Sequence, residues 1–134
     1  MKTLFKISRL RQQIVSLAVA RQAAERVLLS RKEMLKGTVV KALRTCGKVG
    51  CKCAKGQKHL CYQVSASVQG KTRTRHLPQE HMGKVKTWTE SYRAFRQARA
   101  KWVSINSQML QRINELEAAK TLEDFCGEQR SQNK

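Results

Sequence analysis

Four of the chain's five cysteines fall in one short run, TCGKVGCKCAKGQKHLCYQ, residues 45–63. The spacing is Cys46-x4-Cys51-x-Cys53-x5-His59-x-Cys61. Thiolate sulfur and imidazole nitrogen are the ligands Zn²⁺ takes in closed, four-coordinate structural sites. Cys46, Cys51, Cys53 and His59 make one complete set, with Cys61 the alternative fourth ligand. Gly47 and Gly50 stand where the chain must turn sharply to bring two sulfurs to one point. Lys48, Lys52, Lys55 and Lys58 would offset the anionic thiolates. Lysines also lower thiol pKa values, so a redox or nucleophilic role for Cys51 or Cys53 is the competing chemistry. No acid or base that would complete a catalytic set lies nearby in sequence. Cys126 stands alone.

Few other enzyme chemistries fit. The 134 residues contain no glycine-rich phosphate loop. Carboxylates before Glu80 are limited to Glu25 and Glu33, which leaves no pair for acid–base work. His59, His76 and His81 have no carboxylate partner at useful spacing. The expectation is a protein without catalysis of its own and without a small-molecule substrate.

The net charge of +19 points to a polyanion as partner. It is concentrated in residues 1–76, where 18 Lys and Arg face 2 Glu, a net of +16. Nucleic acid, DNA or RNA, is the expected partner, held mainly through phosphates. No apolar run is long enough for a membrane span. The stretch Ile14–Ala20 has the look of a short secretory core, but the apolar spacing continues past Arg21, so a cytoplasmic location is expected. In a reducing compartment clustered cysteines favour metal over disulfides.

These residues need elements to hold them. Leu4, Ile7, Leu10, Ile14, Leu17, Ala24, Leu28 and Leu35 recur at helical spacing and predict one helix from about Thr3 to Lys36, roughly 50 Å long. Arg21 and Arg31 interrupt its apolar face. Lys6, Arg9, Arg11, Arg26 and Lys32 are assigned to the other face, as a second nucleic-acid surface. Gly37 is read as the stop. A second helix is predicted from Pro78 to Lys120, its ordered start nearer Lys84 because Gly83 weakens the first turn. Its seam is Trp88, Tyr92, Phe95, Arg99, Trp102, Asn106, Met109, Ile113 and Leu116, with the aromatics read as core. The two helices pair with each other, or across a homodimer or with a partner helix.

Between them, Tyr62–Val68 and Lys71–Leu77 alternate as a β-hairpin. A three-residue loop ending in Gly70 pairs Ser67 with Lys71 and puts Lys71, Arg73 and Arg75 on a face opposite Tyr62, Val64 and Ala66. A two-residue turn would set those arginines among the valines. With Lys48, Lys52, Lys55 and Lys58, the three basic strand residues form the expected nucleic-acid-binding surface.

The fold expected is mainly α with a small β-hairpin: a basic helix (1–37), a zinc-stapled hairpin module (44–77), a heptad helix (78–120) and a fraying tail (121–134). The function expected is that of an accessory or regulatory nucleic-acid-binding factor, such as one serving a mobile element. The alternatives are an adaptor within a nucleoprotein complex and, less favoured, a small cysteine redox protein.

The segment from Thr45 to Phe95 resembles a family of small bacterial and archaeal proteins catalogued as a domain of unknown function. The shared pattern is Cys-Gly-x-x-Gly-Cys-x-Cys, a basic stretch, His, Tyr, a strand, Gly-Lys-Thr and a helix with Tyr-Arg-x-Phe. The matching positions are Cys46, Gly47, Gly50, Cys51, Cys53, His59, Tyr62, Gly70, Lys71, Thr72, Tyr92 and Phe95. Where that family has Gly-Pro after the histidine, this chain has Leu60-Cys61. The resemblance implies the same cysteine-plus-hairpin module and no particular activity.

Overall fold

The computed structural model describes residues 2–45 and 47–122, with the side chains of all but Cys53 and Ala54. It is an α+β protein: two helices and a three-stranded antiparallel sheet. The chain divides into two compact units. One joins the residues up to Leu29 with those from Ala98 onward; the other is Ser30–Gln97.

In the first unit, helix α1 (Lys2–Leu28) runs antiparallel to the second half of α2 (Met82–Lys120). Two cross-links fix that direction. Arg21 Nη1 donates to Asn106 Oδ1 at 3.2 Å, and Trp102 Nε1 donates to Glu25 Oε1 at 3.1 Å. Arg21 also lies 3.6 Å from Glu25. The polar interruptions of the two seams therefore meet each other. A misaligned pairing would leave Arg21 and Asn106 without these partners, so the contact specifies register more than it adds stability. Leu10 and Ala24 of α1, and Ala98 and Ile105 of α2, are the buried apolar residues here. Ile7, Ile14, Leu17 and Leu28 are half-buried beside them.

The seams differ from expectation in detail. Leu4 is 70% exposed, outside the packed face. On α2 from Ala98 onward the buried positions are Ala98 and Ile105; Arg99 and Ile113 are exposed, and Trp102 keeps over a third of its surface in solvent. A charged Arg99 would be costly in an apolar seam. The small Ala98 beside it takes the inward position.

α1 ends at Leu28, eight residues before the expected helix end at Lys36. Its last backbone bond is from Leu29 N to Glu25 O, 2.8 Å. The following segment, 30–37, is a strap outside any helix or strand. Leu35 N donates to Trp88 O at 3.1 Å, which ties the strap to α2. Gly37 is thus not a helix stop. A Cβ there would come within 3.2 Å of Ser65 O and 2.9 Å of Val64 Cγ1, so glycine is what lets the strap lie against the sheet.

Strand β1 (Thr38–Arg44) follows, a third strand that the hairpin reading left out. It pairs with β2 (His59–Val68), from Thr38 opposite Ser65 to Arg44 opposite His59. β2 pairs on its other side with β3 (Lys71–Leu77), from Tyr62 opposite Leu77 to Val68 opposite Lys71. The β2–β3 turn is therefore two residues long, Gln69 and Gly70, both with positive φ (51° and 78°). Such a turn matches the twist of the strands it joins. This corrects the expected three-residue loop. Arg73 sits opposite Ala66 and Arg75 opposite Val64, on the same face as Tyr62. The correction has a plain cause. β3 is an edge strand whose residues from Lys71 to His76 are all exposed, so arginine stems can lie beside valines with their charged ends in water. Pro78 opens a 3-10 turn (Gln79–His81), and α2 begins at Met82, including Gly83. α2 closes at Lys120 as expected; residues 123–134 of the expected tail, with Cys126, lie outside the described residues.

Two outcomes test this packing. Ile105→Asp should cost about 3 kcal/mol or more in denaturant unfolding, because it buries a charge. Trp102→Phe should cost only about 1 kcal/mol, the value of one hydrogen bond. At the turn, Gln69→Asn should raise the melting temperature, since asparagine accepts positive φ more readily than glutamine.

Candidate nucleic-acid interface and cysteine loop

The cysteine-bearing loop, residues 45–58, closes across one end of the sheet, between the paired residues Arg44 and His59. Inside it, Cys51 N donates to Lys48 O at 3.3 Å, closing a turn in which Gly50 takes φ 84°. That turn sends Cys51 back toward the sheet. Its Sγ lies 3.2 Å from His59 Nε2, the first residue of β2. A thiol and an imidazole from opposite ends of the loop thus meet at one point. Cys53 belongs to a 3-10 turn (Lys52–Lys55), its side chain outside those described, and Cys46 also lies outside the described residues. Of the expected ligand set, Cys51 and His59 are therefore the two that can be placed, and they are together. Cys61 is a half-buried free thiol on β2, opposite Ala42 and two residues from His59 on the same face. Among the described residues no three His, Cys, Asp or Glu side chains gather as a metal site. No described carboxylate hydrogen-bonds His59, so a cysteine–histidine–acid arrangement is not formed among them.

The basic residues fall into separate groups. Lys71, Arg73 and Arg75 do share one exposed face of β3. Lys41 of β1 lies on that same face, two strands away, in the row Lys41–Tyr62–Leu77. Lys48, Lys52, Lys55 and Lys58 are also exposed, but they belong to the loop at the other end of β2. The ten residues of β2 span roughly 30 Å, so the loop lysines and the hairpin tip are not one patch. On α1, Lys6, Arg9, Arg11 and Arg26 are exposed but do not form one face. Arg11 and Arg26 lie about 60° apart around the helix, with Lys6 and Arg9 on the opposite flank. Lys32 is in the strap, beyond the end of α1.

A further basic group was not legible from spacing. Lys36 of the strap and Arg93 and Arg96 of α2 line a cleft of about 290 Å³ beside Ser65–Ser67 of β2. Each stands in its own sequence context as an ordinary surface charge. Only the strap's bond to Trp88 and the register of β1 bring the three together. In total residues 30–97 carry 16 Lys and Arg against three Glu, a net of +13. The ion pairs among the described residues are Arg21–Glu25 and Arg112–Glu115, neither within 30–97. With its amide oriented oxygen toward Arg44, the buried Gln63 side chain accepts from that guanidinium, while Arg44 itself stays exposed.

No described helix is long and apolar enough to cross a membrane. No curated protein and no solved structure matches the chain. A family model does match, over residues 6–87, a span that takes in most of α1, the cysteine loop, the sheet and the start of α2 but stops short of Tyr92 and Phe95. The chain belongs to that family, a domain of unknown function (DUF6788).

Proposed function

We propose that this protein binds nucleic acid through the phosphate backbone, using the sheet-bearing unit, residues 30–97, as its contact surface and performing no catalysis of its own. One observation carries the reading: that unit holds a net charge of +13 with no ion pair among its described residues. So much unpaired charge of one sign repels itself, and a polyanion relieves the repulsion. Lys71, Arg73 and Arg75, lined along one exposed strand face, suit a backbone track. Contacts of this kind position a protein without reading sequence, which fits an accessory or regulatory role.

The cysteine loop is proposed as a structural zinc site with Cys51 and His59 as two ligands and Cys46 and Cys53 as the others. Its support is the meeting of Cys51 and His59 across the loop, two donors of the type zinc takes. The metal would close the 45–58 loop and hold its four lysines in place.

A second reading, an adaptor that recruits a partner helix, is favoured by the apolar side chains left exposed on the helices. Val15 and Val19 of α1, and Leu110 and Ile113 of α2, are 45–64% exposed.

Lys71, Arg73 and Arg75 all changed to Gln should leave the fold intact, since all three are exposed. The slope of log affinity against log salt should flatten by about 0.9 per lost contact on duplex DNA, or about 0.7 on a single strand. An unaltered slope in the folded variant would remove this face from the interface. The metal is tested separately. Protein purified under reducing conditions should contain about one zinc per chain. Cys51→Ser and His59→Gln should both lose it, and Cys61→Ser should keep it. A metal-free protein whose melting curve ignores a chelator would refute the zinc site.

A further inference from the structure

The cleft beside Ser65–Ser67 gathers three cations and several hydroxyl-bearing residues. β1 covers β2 only as far as Ser65, so Ala66 and Ser67 lie at an open edge on that side. The strap residues Lys36, Gly37 and Thr38 form one wall and α2 the other, through Thr89, Tyr92, Arg93 and Arg96. No acidic residue lines it. Lys36, Arg93 and Arg96 are all exposed and make no ion pair among the described residues. Thr38, Ser65, Ser67 and Tyr92 add hydroxyl groups to the lining. Thr89, in contrast, is already committed: its hydroxyl donates to Lys86 O at 3.0 Å.

The walls are fixed by backbone contacts. Leu35 N bonds to Trp88 O at 3.1 Å, immediately before Lys36. Gly37 then sits so close to β2 that a Cβ would meet Ser65 O at 3.2 Å. Arg93 and Arg96 are one helical turn apart on α2 and so face the same side. The cleft, about 290 Å³, has room for a phosphate group with its flanking atoms.

From these features we infer that the cleft is a binding site for one phosphodiester group of a nucleic-acid backbone. Arg93 and Arg96 supply guanidinium forks, which match phosphate oxygens bidentately. Lys36 supplies a third charge, and the hydroxyls of Ser65, Ser67 and Thr38 donate to the remaining oxygens, as such side chains commonly do at phosphates. The inference rests on the nucleic-acid reading above and adds to it a defined contact point. Ser65 and Ser67 pair with Thr74 and Thr72, so their hydroxyls stand on the sheet face opposite Lys71, Arg73 and Arg75. The cleft is therefore a contact point separate from the basic hairpin face.

The test uses the full chain, a 20-base-pair DNA duplex as probe and anisotropy titrations over a range of salt. Three proteins are compared: the unchanged chain, the pair Arg93→Gln with Arg96→Gln, and the pair Arg93→Lys with Arg96→Lys. The Gln pair should flatten the salt slope by about 0.9 to 1.8, one to two phosphate contacts' worth, equally on unrelated sequences. The Lys pair, which keeps the charge, should retain the slope and lose affinity at fixed salt. If the Gln pair fails to show an unchanged melting curve, Lys36→Gln replaces it, with an expected flattening of about 0.9. An unchanged slope in a folded Gln pair overturns the cleft while nucleic-acid binding stands. If the unchanged chain binds neither this duplex nor an RNA duplex of the same length even at low salt, the functional reading falls and the cleft falls with it.

Discussion

Everything in the sheet-bearing unit follows from the register of its central strand. β2 is bonded on both sides, and a side chain's face is set by its place in the ladder. Arg44 opposite His59 closes the cysteine loop and brings Cys51 to the imidazole. Val68 opposite Lys71 makes the turn two residues long and sets Lys71, Arg73 and Arg75 on one face. Ser65 opposite Thr38 ends β1 early enough to leave the cleft open. A slip of one residue on either side would move every one of these groups to the other face. Gly37 and the Gln69–Gly70 turn are the local features that forbid such slips, one by close approach and the other by positive φ.

The same unit is where charge is least compensated. Buried apolar side chains are few there, Leu77 and Val85 among the described residues. A small core has little free energy to set against repulsion among 16 cations. One way of relieving this is built into the unit. The cations are all spread over exposed positions, and Arg44 also donates to the buried Gln63 side chain, which gives that amide a partner. A metal in the cysteine loop and a bound backbone would each add stability that the core does not supply. The helix pair works differently. There a carboxylate, a guanidinium, an amide and an indole meet across the seam, and the charges are matched within the chain.

Long periodic elements were readable in the sequence, and short ones set by tertiary contacts were not. The apolar rows of α1 and α2 identify both helices, and Arg21 and Asn106 are visible as breaks in them. That the two breaks meet is a matter of pairing, which no single row encodes. β1 follows Gly37 with three β-branched residues, Thr38, Val39 and Val40, but its half-buried positions, Val39 and Ala42, are three apart, so it lacks a strand's alternation. The hairpin itself was legible. Its register was not, because the argument against arginines beside valines holds for a covered strand and β3 is an edge. The meeting of Cys51 with His59 was visible in spacing. Lys36, Arg93 and Arg96 were not, since 57 residues separate the first from the second.

The most direct measurement is residue-resolved mapping, by amide chemical shifts, of the intact protein bound to a short DNA duplex at low salt. The largest changes should fall in Ser65–Ser67, Thr72–His76 and the turn of α2 around Arg93, with Lys2–Leu28 little affected. Changes confined to α1, or none at all under saturating duplex, would contradict the assignment of binding to the sheet-bearing unit.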